Sequence, residues 1–216
     1  MVYENSFIAK DGKVEGDSMK DVLRRRLLEA TLRLVSEQGP AFRMDMLAAR
    51  LHISKRTVYE QFSSKQELIW EAVFFFAREM YEAHKQLAAD STLTTEEKIL
   101  SFFRVSPQQE QLFSLRRIQD ALMRAPLVRE KLHELEARNW DLLEQLLHAA
   151  QREGSLRDVD CTLCMHMIKA AAAESLAYME NAAHRCSFFE YMTQCLQVLL
   201  YGMKADGRNG IHETNV

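Results

Sequence analysis

The sequence predicts an all-α protein, and three observations carry that expectation. Apolar residues recur at helical spacing: Leu23, Leu27, Ala30 and Leu34 make one stripe, and Met44, Leu47, Ala48 and Leu51 the next. No stretch of strand length alternates apolar and polar residues with period two. None of the seven glycines (12, 16, 39, 154, 202, 207, 210) or three prolines (40, 107, 126) interrupts a periodic segment. At 216 residues and 47% hydrophobic, the chain can bury a substantial core.

About nine helices fit this spacing. The first, 19–38, carries the opening Leu/Ala stripe and stops at Gly39-Pro40. Short helices follow at 44–51 and 55–61, the latter with Ser54 as its N-cap. Ser64-Lys65-Gln66-Glu67 reads as a capping box opening a long helix over 65–88. That helix is apolar nearly all round: Ile69, Ala72, Val73, Phe76 and Met80 form one stripe, Trp70, Phe74, Ala77 and Tyr81 a second. It is expected to pack on two bundles at once. Further helices are expected at 95–105, 108–124, 126–153 (Pro126 suiting a first turn, Gly154 a stop), 159–183 and 187–204. Residues 1–18 and 205–216 are polar and glycine-containing and are expected to be a mobile arm and tail.

Charge divides the chain unevenly. Residues 20–65 hold ten Lys/Arg against five Asp/Glu, so this segment is +5 and the remainder −8 within a net charge of −3. A basic end on an acidic body is suited to meeting a polyanion. Ordinary fluctuation of surface charge gives the same numbers. The longest apolar run, Ala72–Ala77, is far too short for a membrane span, and the N-terminus lacks the apolar core of a signal peptide. Four cysteines, at 161, 164, 186 and 195, make no disulfide framework, and a reduced, cytoplasmic protein is expected.

The segment 43–62 has the form of a helix-turn-helix: helix 44–51, the tight Leu51-His52-Ile53 connection, then helix 55–61. In that motif the second helix enters the major groove with its N-terminal residues at base edges. Arg56 can donate two hydrogen bonds to a guanine, Thr57 can meet a thymine methyl or a phosphate, and Lys55 supplies charge. Tyr59 presents its hydroxyl one turn later, and the amides around Ser64 together with Lys65 favour a phosphate. A solvated basic helix in some other bundle fits the same pattern.

Residues 24–74 resemble the N-terminal domain of the tetracycline-repressor (TetR) family. The resemblance is carried by the Leu/Ala-rich first helix ending in Gly39, by Leu47-Ala48, Ile53-Ser54-Lys55, Thr57, Tyr59, Phe62 and Ser64-Lys65-x-x-Leu68. It implies a three-helix DNA-binding domain over 19–65, an effector-binding and dimerisation domain over 66–204, a double-stranded operator, and a homodimer released from DNA by a small molecule. It also implies that the last two helices, 159–183 and 187–204, pair with their mates as a four-helix bundle. The chain departs from the family pattern twice. Arg56 stands where Gly is usual, which implies a base preference of its own. The segment from Gly39 to Ala48 is one residue short and puts Phe42-Arg43 where Thr or Ser usually caps the second helix, so that Arg43 becomes a candidate phosphate contact.

The remaining candidates concern the larger domain. Cys161, Cys164, Ile168, Ala171, Ser175 and Met179 form an apolar stripe, and Phe188, Met192, Cys195 and Leu199 another, both suited to helix pairing. Phe102, Phe103, Phe113, Met123, Trp140, His166, Met167, Glu174 and Tyr178 are candidates for lining an effector pocket, with His166 and Glu174 as polar anchors. Plain core is the competing reading for each. The "CTLCMH" run at 161–166 has two thiols and an imidazole but no second ligand pair at finger spacing, so no metal is assigned; metal or thiol sensing by Cys161, Cys164 and His166 stays open. No cofactor is expected. An enzyme on a helical scaffold lacks its signatures here: no phosphate-binding glycine loop, no nucleophile elbow, and His133-Glu134 followed by Ala137 where a metalloprotease needs His. A helical adaptor with one basic end is the other alternative.

Overall fold

In a computed structural model, the structure describes residues 19–105, 126–180 and 186–202. These residues form eight helices and no strand: α1 (Met19–Gln38), α2 (Met44–Leu51), α3 (Lys55–Gln61), α4 (Lys65–Ala89), α5 (Thr95–Ser101), α6 (Pro126–Arg152), α7 (Cys161–Glu180) and α8 (Phe188–Tyr201). The all-α expectation holds. The helix expected over 108–124, the arm 1–18 and the tail 205–216 lie outside the described residues, as do Phe113 and Met123.

Local chemistry sets the helix ends. Gly39, at φ 76°, ends α1 by donating its N–H to the Val35 carbonyl at 2.8 Å. His52 ends α2 in the left-handed region at φ 56°, the one non-glycine residue at positive φ among those described. Its N–H reaches Ala49 O at 3.2 Å, and that of Ile53 reaches Ala48 O at 3.0 Å. Ser54 caps α3 by accepting from Thr57 N at 3.0 Å, and Ser64 caps α4 by accepting from Glu67 N at 3.1 Å. The returning half of the expected capping box differs, because the Glu67 carboxylate accepts from Ser63 N at 2.6 Å rather than from Ser64. Several boundaries shift inward from the sequence expectation, and three of them have a visible cause. After Ser101 the chain turns through residues 102–104 instead of continuing to 105, Asp160 caps α7 by accepting from Thr162 N and Leu163 N, and Gly202 ends α8.

Two apolar clusters hold the helices together. The first buries one face of α1 (Leu27, Leu28, Leu32, Leu34, Val35) against Phe42, Leu47, Val58 and Phe62, and against Leu68 to Met80 of α4. The second joins Leu87 of α4 and Ile99 of α5 to Phe102, Phe103, Leu143, Leu147, Ile168, Met192 and Leu196. Helix α4, about 38 Å long at 1.5 Å per residue, is common to both. It packs chiefly on α1 at its start and on α6 beyond. Its first stripe, from Ile69 to Met80, is buried, and Trp70, Phe74, Ala77 and Tyr81 of the second are half-buried.

Candidate functional site

The helix-turn-helix face is built from behind by its core. Val58 on the inner side of α3 and Phe62, which follows its last residue, are fully buried. Arg24 of α1 clamps that helix: its guanidinium lies 4.3 Å from the Phe62 ring centroid and donates to Gln61 O at 3.0 Å. With the inner side fixed, the first turn of α3 faces outward. Lys55 and Tyr59 are exposed, and the Arg56 side chain is 89% open to solvent. Thr57 is half-buried, its hydroxyl 2.9 Å from that of Ser54. Arg43 is exposed at the start of α2, with no side-chain cap there.

Lys65 differs from its neighbours. Its ammonium sits 4.6 Å over the Phe42 ring, and burial pushes its pKa below the ordinary lysine value. The candidate DNA-contacting residues Arg43, Ser54, Lys55, Arg56, Thr57, Tyr59 and Lys65 all lie on the short stretch from the start of α2 to the start of α4.

Sequence reasoning missed the acidic residues woven through this face. Asp45 contacts Lys55 Nζ and also accepts from Arg43 at 3.1 Å, and the Lys55 hydrogen bond, first among several causes, holds its carboxyl below the usual range. Glu60 accepts from Arg56 Nε at 3.0 Å, one turn along α3. The helical spacing of Arg56 and Glu60 is readable as an i,i+4 pair. Asp45 meets Lys55 only because the turn folds α3 back on α2.

The second feature is a cavity of about 560 Å³ between α4, α6, α7, the turn that follows α5 and the start of α8. Val73, Phe76, Ala77, Met80 and His84 of α4 form one wall. Phe102, Phe103 and Trp140, all named from the sequence, lie on it, together with Phe188 and Phe189. His84 is 3% exposed, and both ring nitrogens are engaged: Nδ1 with Asn139 Oδ1 at 2.8 Å, Nε2 with the Phe102 carbonyl at 3.0 Å. Its ring stacks on Phe102 at 3.9 Å. Burial, outweighing these hydrogen bonds, pushes its pKa down. His84 continues the α4 stripe from Met80 to Leu87, which is the signal that would have found it.

The other sequence candidates on α7 lie elsewhere. His166, Met167, Glu174 and Tyr178 are exposed and do not line the cavity; α7 turns Lys169, Ala172, Ala173 and Ser175 toward it instead. The reason is geometric: α7 is apolar on more than one side, and its Cys161, Met165, Ile168 and Ser175 edge is buried in the chain's own core. Part of the stripe expected to pair between subunits is therefore consumed within one chain, as is Met192 of α8. What α7 and α8 leave in water is a different apolar set, Leu163, Met167, Tyr178 and Val198. Cys161 is buried with its thiol toward Gln151 Oε1, all four cysteines are free, and no three potential metal ligands converge among the described residues. No described helix is long and apolar enough to cross a membrane.

Comparison with known proteins agrees with this geometry. Residues 27–72 match the family model of the bacterial regulatory proteins, tetR family. The uncharacterized HTH-type transcriptional regulator YvaF of Bacillus subtilis (strain 168) is 25% identical over 182 residues, 84% of this chain and 96% of that protein. The TetR family transcriptional regulator PfmR from Thermus thermophilus shares the fold with a TM-score of 0.60 at 21% identity, over 83% of this chain and all of that one. A transcriptional regulator from Saccharomonospora viridis, solved in complex with choline, does so with a TM-score of 0.63 at 19% identity, over 83% and 96% of the two chains. The residues that build the helix-turn-helix thus lie inside a segment similar to the bacterial regulatory proteins of the tetR family, and most of the chain shares its helical fold with solved regulators.

Proposed function

We propose that this chain is a homodimeric transcriptional repressor that binds a pseudo-palindromic operator and leaves it when a small apolar or aromatic effector enters the cavity. The observation that carries this reading is that one helix serves both ends. Helix α4 begins at Lys65, directly after the recognition helix α3, and its residues Val73, Phe76, Met80 and His84 are a wall of the cavity. An effector acts only through a difference in affinity between two shapes of the protein. A displacement of α4 near Met80 alters the separation of the two recognition helices in a dimer, whereas DNA fixes the separation of the half-sites.

On this reading residues 19–65 are the DNA-binding domain and 66–204 the effector-binding and dimerisation domain. Arg56 reads bases, Lys55 and Arg43 supply charge, and Tyr59, Thr57 and Lys65 hold phosphates. The dimer forms through α7 and α8, whose exposed Leu163, Met167, Tyr178 and Val198 support an apolar interface. Selection of binding sites from random duplex DNA, followed by sedimentation of the protein with and without the selected site, tests the proposal. A two-fold symmetric site bound by a dimer is the expected outcome. A monomer at micromolar concentration in both states overturns the dimer, and failure to select any site overturns operator binding.

A further inference from the structure

The rim of the cavity carries charge that its walls do not. The walls are apolar, with Phe103 tilted against Trp140 at 6.1 Å between ring centroids and edge-on to Phe188 at 6.3 Å. On α6, Glu136 and Asp141 flank Trp140, and all three line the cavity. Among the described residues, Lys169 of α7, His133 of α6 and His84 of α4 are the other charged and titratable groups that line it.

We infer that the cavity takes an organic cation, an apolar or aromatic body bearing an amine or quaternary ammonium, with the Glu136 carboxylate as counter-charge and Trp140 as the π partner. This rests on the reading of the cavity as the effector site and narrows it to a chemical class. Glu136 and Trp140 are four residues apart on one helix, so carboxylate and indole stand side by side on the same face. A cation beside that pair gains a Coulombic and a cation–π attraction together. Among the described residues of the lining, two carboxylates stand against one ammonium.

Glu136 is also poorly compensated. Among the described residues its ion-pair contact is His133 Nδ1 at 3.9 Å, with the imidazole side chain 85% exposed. The Glu136 side chain keeps 54% of its surface open, yet protein atoms crowding one side push its carboxyl above the ordinary range, more than His133 lowers it. An arriving cation restores what that crowding takes from the carboxylate. Lys169 is exposed, and its flexible stem can carry the ammonium out to water when a cation occupies the site.

The test uses the full chain and three probes with one ten-carbon tail: decyltrimethylammonium, decan-1-ol and decanoate, each below its aggregation limit, titrated by calorimetry. The ammonium should bind about tenfold more tightly than the alcohol, and Glu136→Gln should remove most of that preference while leaving alcohol binding unchanged. Trp140→Leu should weaken the ammonium more than the alcohol. Equal binding of ammonium and alcohol overturns the inference and leaves the effector cavity standing. Tightest binding by decanoate, lost in Lys169→Ala, overturns it in favour of an anionic ligand. Absence of binding by all three removes both the inference and the reading beneath it.

Discussion

Arg56 is the residue that makes the proposed DNA-facing surface most individual. It is nearly fully exposed and, among the described residues, paired with Glu60, a pair that costs little to break. Arg56→Ala should therefore cost about 1–3 kcal/mol at the selected site and relax specificity at one base position. Equal losses on the selected and random duplexes, measured by gel shift, would remove its base-reading role. Asp45 acts in the opposite direction. Its carboxylate occupies Lys55 and Arg43, two cations a phosphate would otherwise attract. Asp45→Asn should raise affinity for random duplex by roughly two- to fivefold at low salt, more than it raises affinity for the selected site. His84 gives a pH dependence whose sign is fixed by its burial. Its pKa in the fold lies below the ordinary 6.5, so the unfolded chain takes up the proton first and stability falls as pH drops below that value. Denaturant midpoints at pH 7.5 and 5.5 should differ more for the native chain than for His84→Gln.

At the scale of the element, α4 is the part proposed to couple the cavity to the helix-turn-helix. Substitutions at Phe76 or Met80, on the cavity wall and in the first cluster together, should change the effector's influence on operator binding more than they change affinity for DNA without effector. A ligand that binds operator complex and free dimer equally well would leave this coupling nothing to act on. The helix ends legible in the sequence are those set by a capping side chain or a glycine: Ser54, Ser64, Gly39 and Gly154 act within three or four residues of themselves. The end of α5 is not legible, because Phe102 and Phe103 keep the helical apolar pattern although the backbone has already turned. The same limit governs the cavity. Phe102, Phe103 and Trp140 can be named from sequence because large aromatic groups in the middle helices have few places to go. On α7, several faces share one apolar character, and only packing decides that Lys169 and Ser175, rather than Glu174 and Tyr178, turn toward the cavity. Asp45 and Lys55 meet through the turn between two helices, a contact no periodicity encodes.

For the whole molecule, the apolar groups that α7 and α8 leave in water set the expectation for assembly. Leu163→Glu combined with Val198→Glu should yield a monomer by sedimentation and lower operator affinity sharply, because two half-sites then bind independently. Retention of the dimer would place the interface elsewhere. The two apolar clusters also bear on how the chain is made. Apart from Leu132 and Phe189, every buried residue of the first cluster lies between Leu27 and Met80. A ribosome delivers residues in order, and contacts between near neighbours in sequence close fastest. The helix-turn-helix bundle can therefore assemble while α6 to α8 are still being synthesised. During that interval the far end of α4, with Leu87, projects without its eventual partners. The nascent chain thus carries an exposed apolar spike from the moment its first bundle folds, and the speed with which α6 arrives to cover it sets its exposure to aggregation.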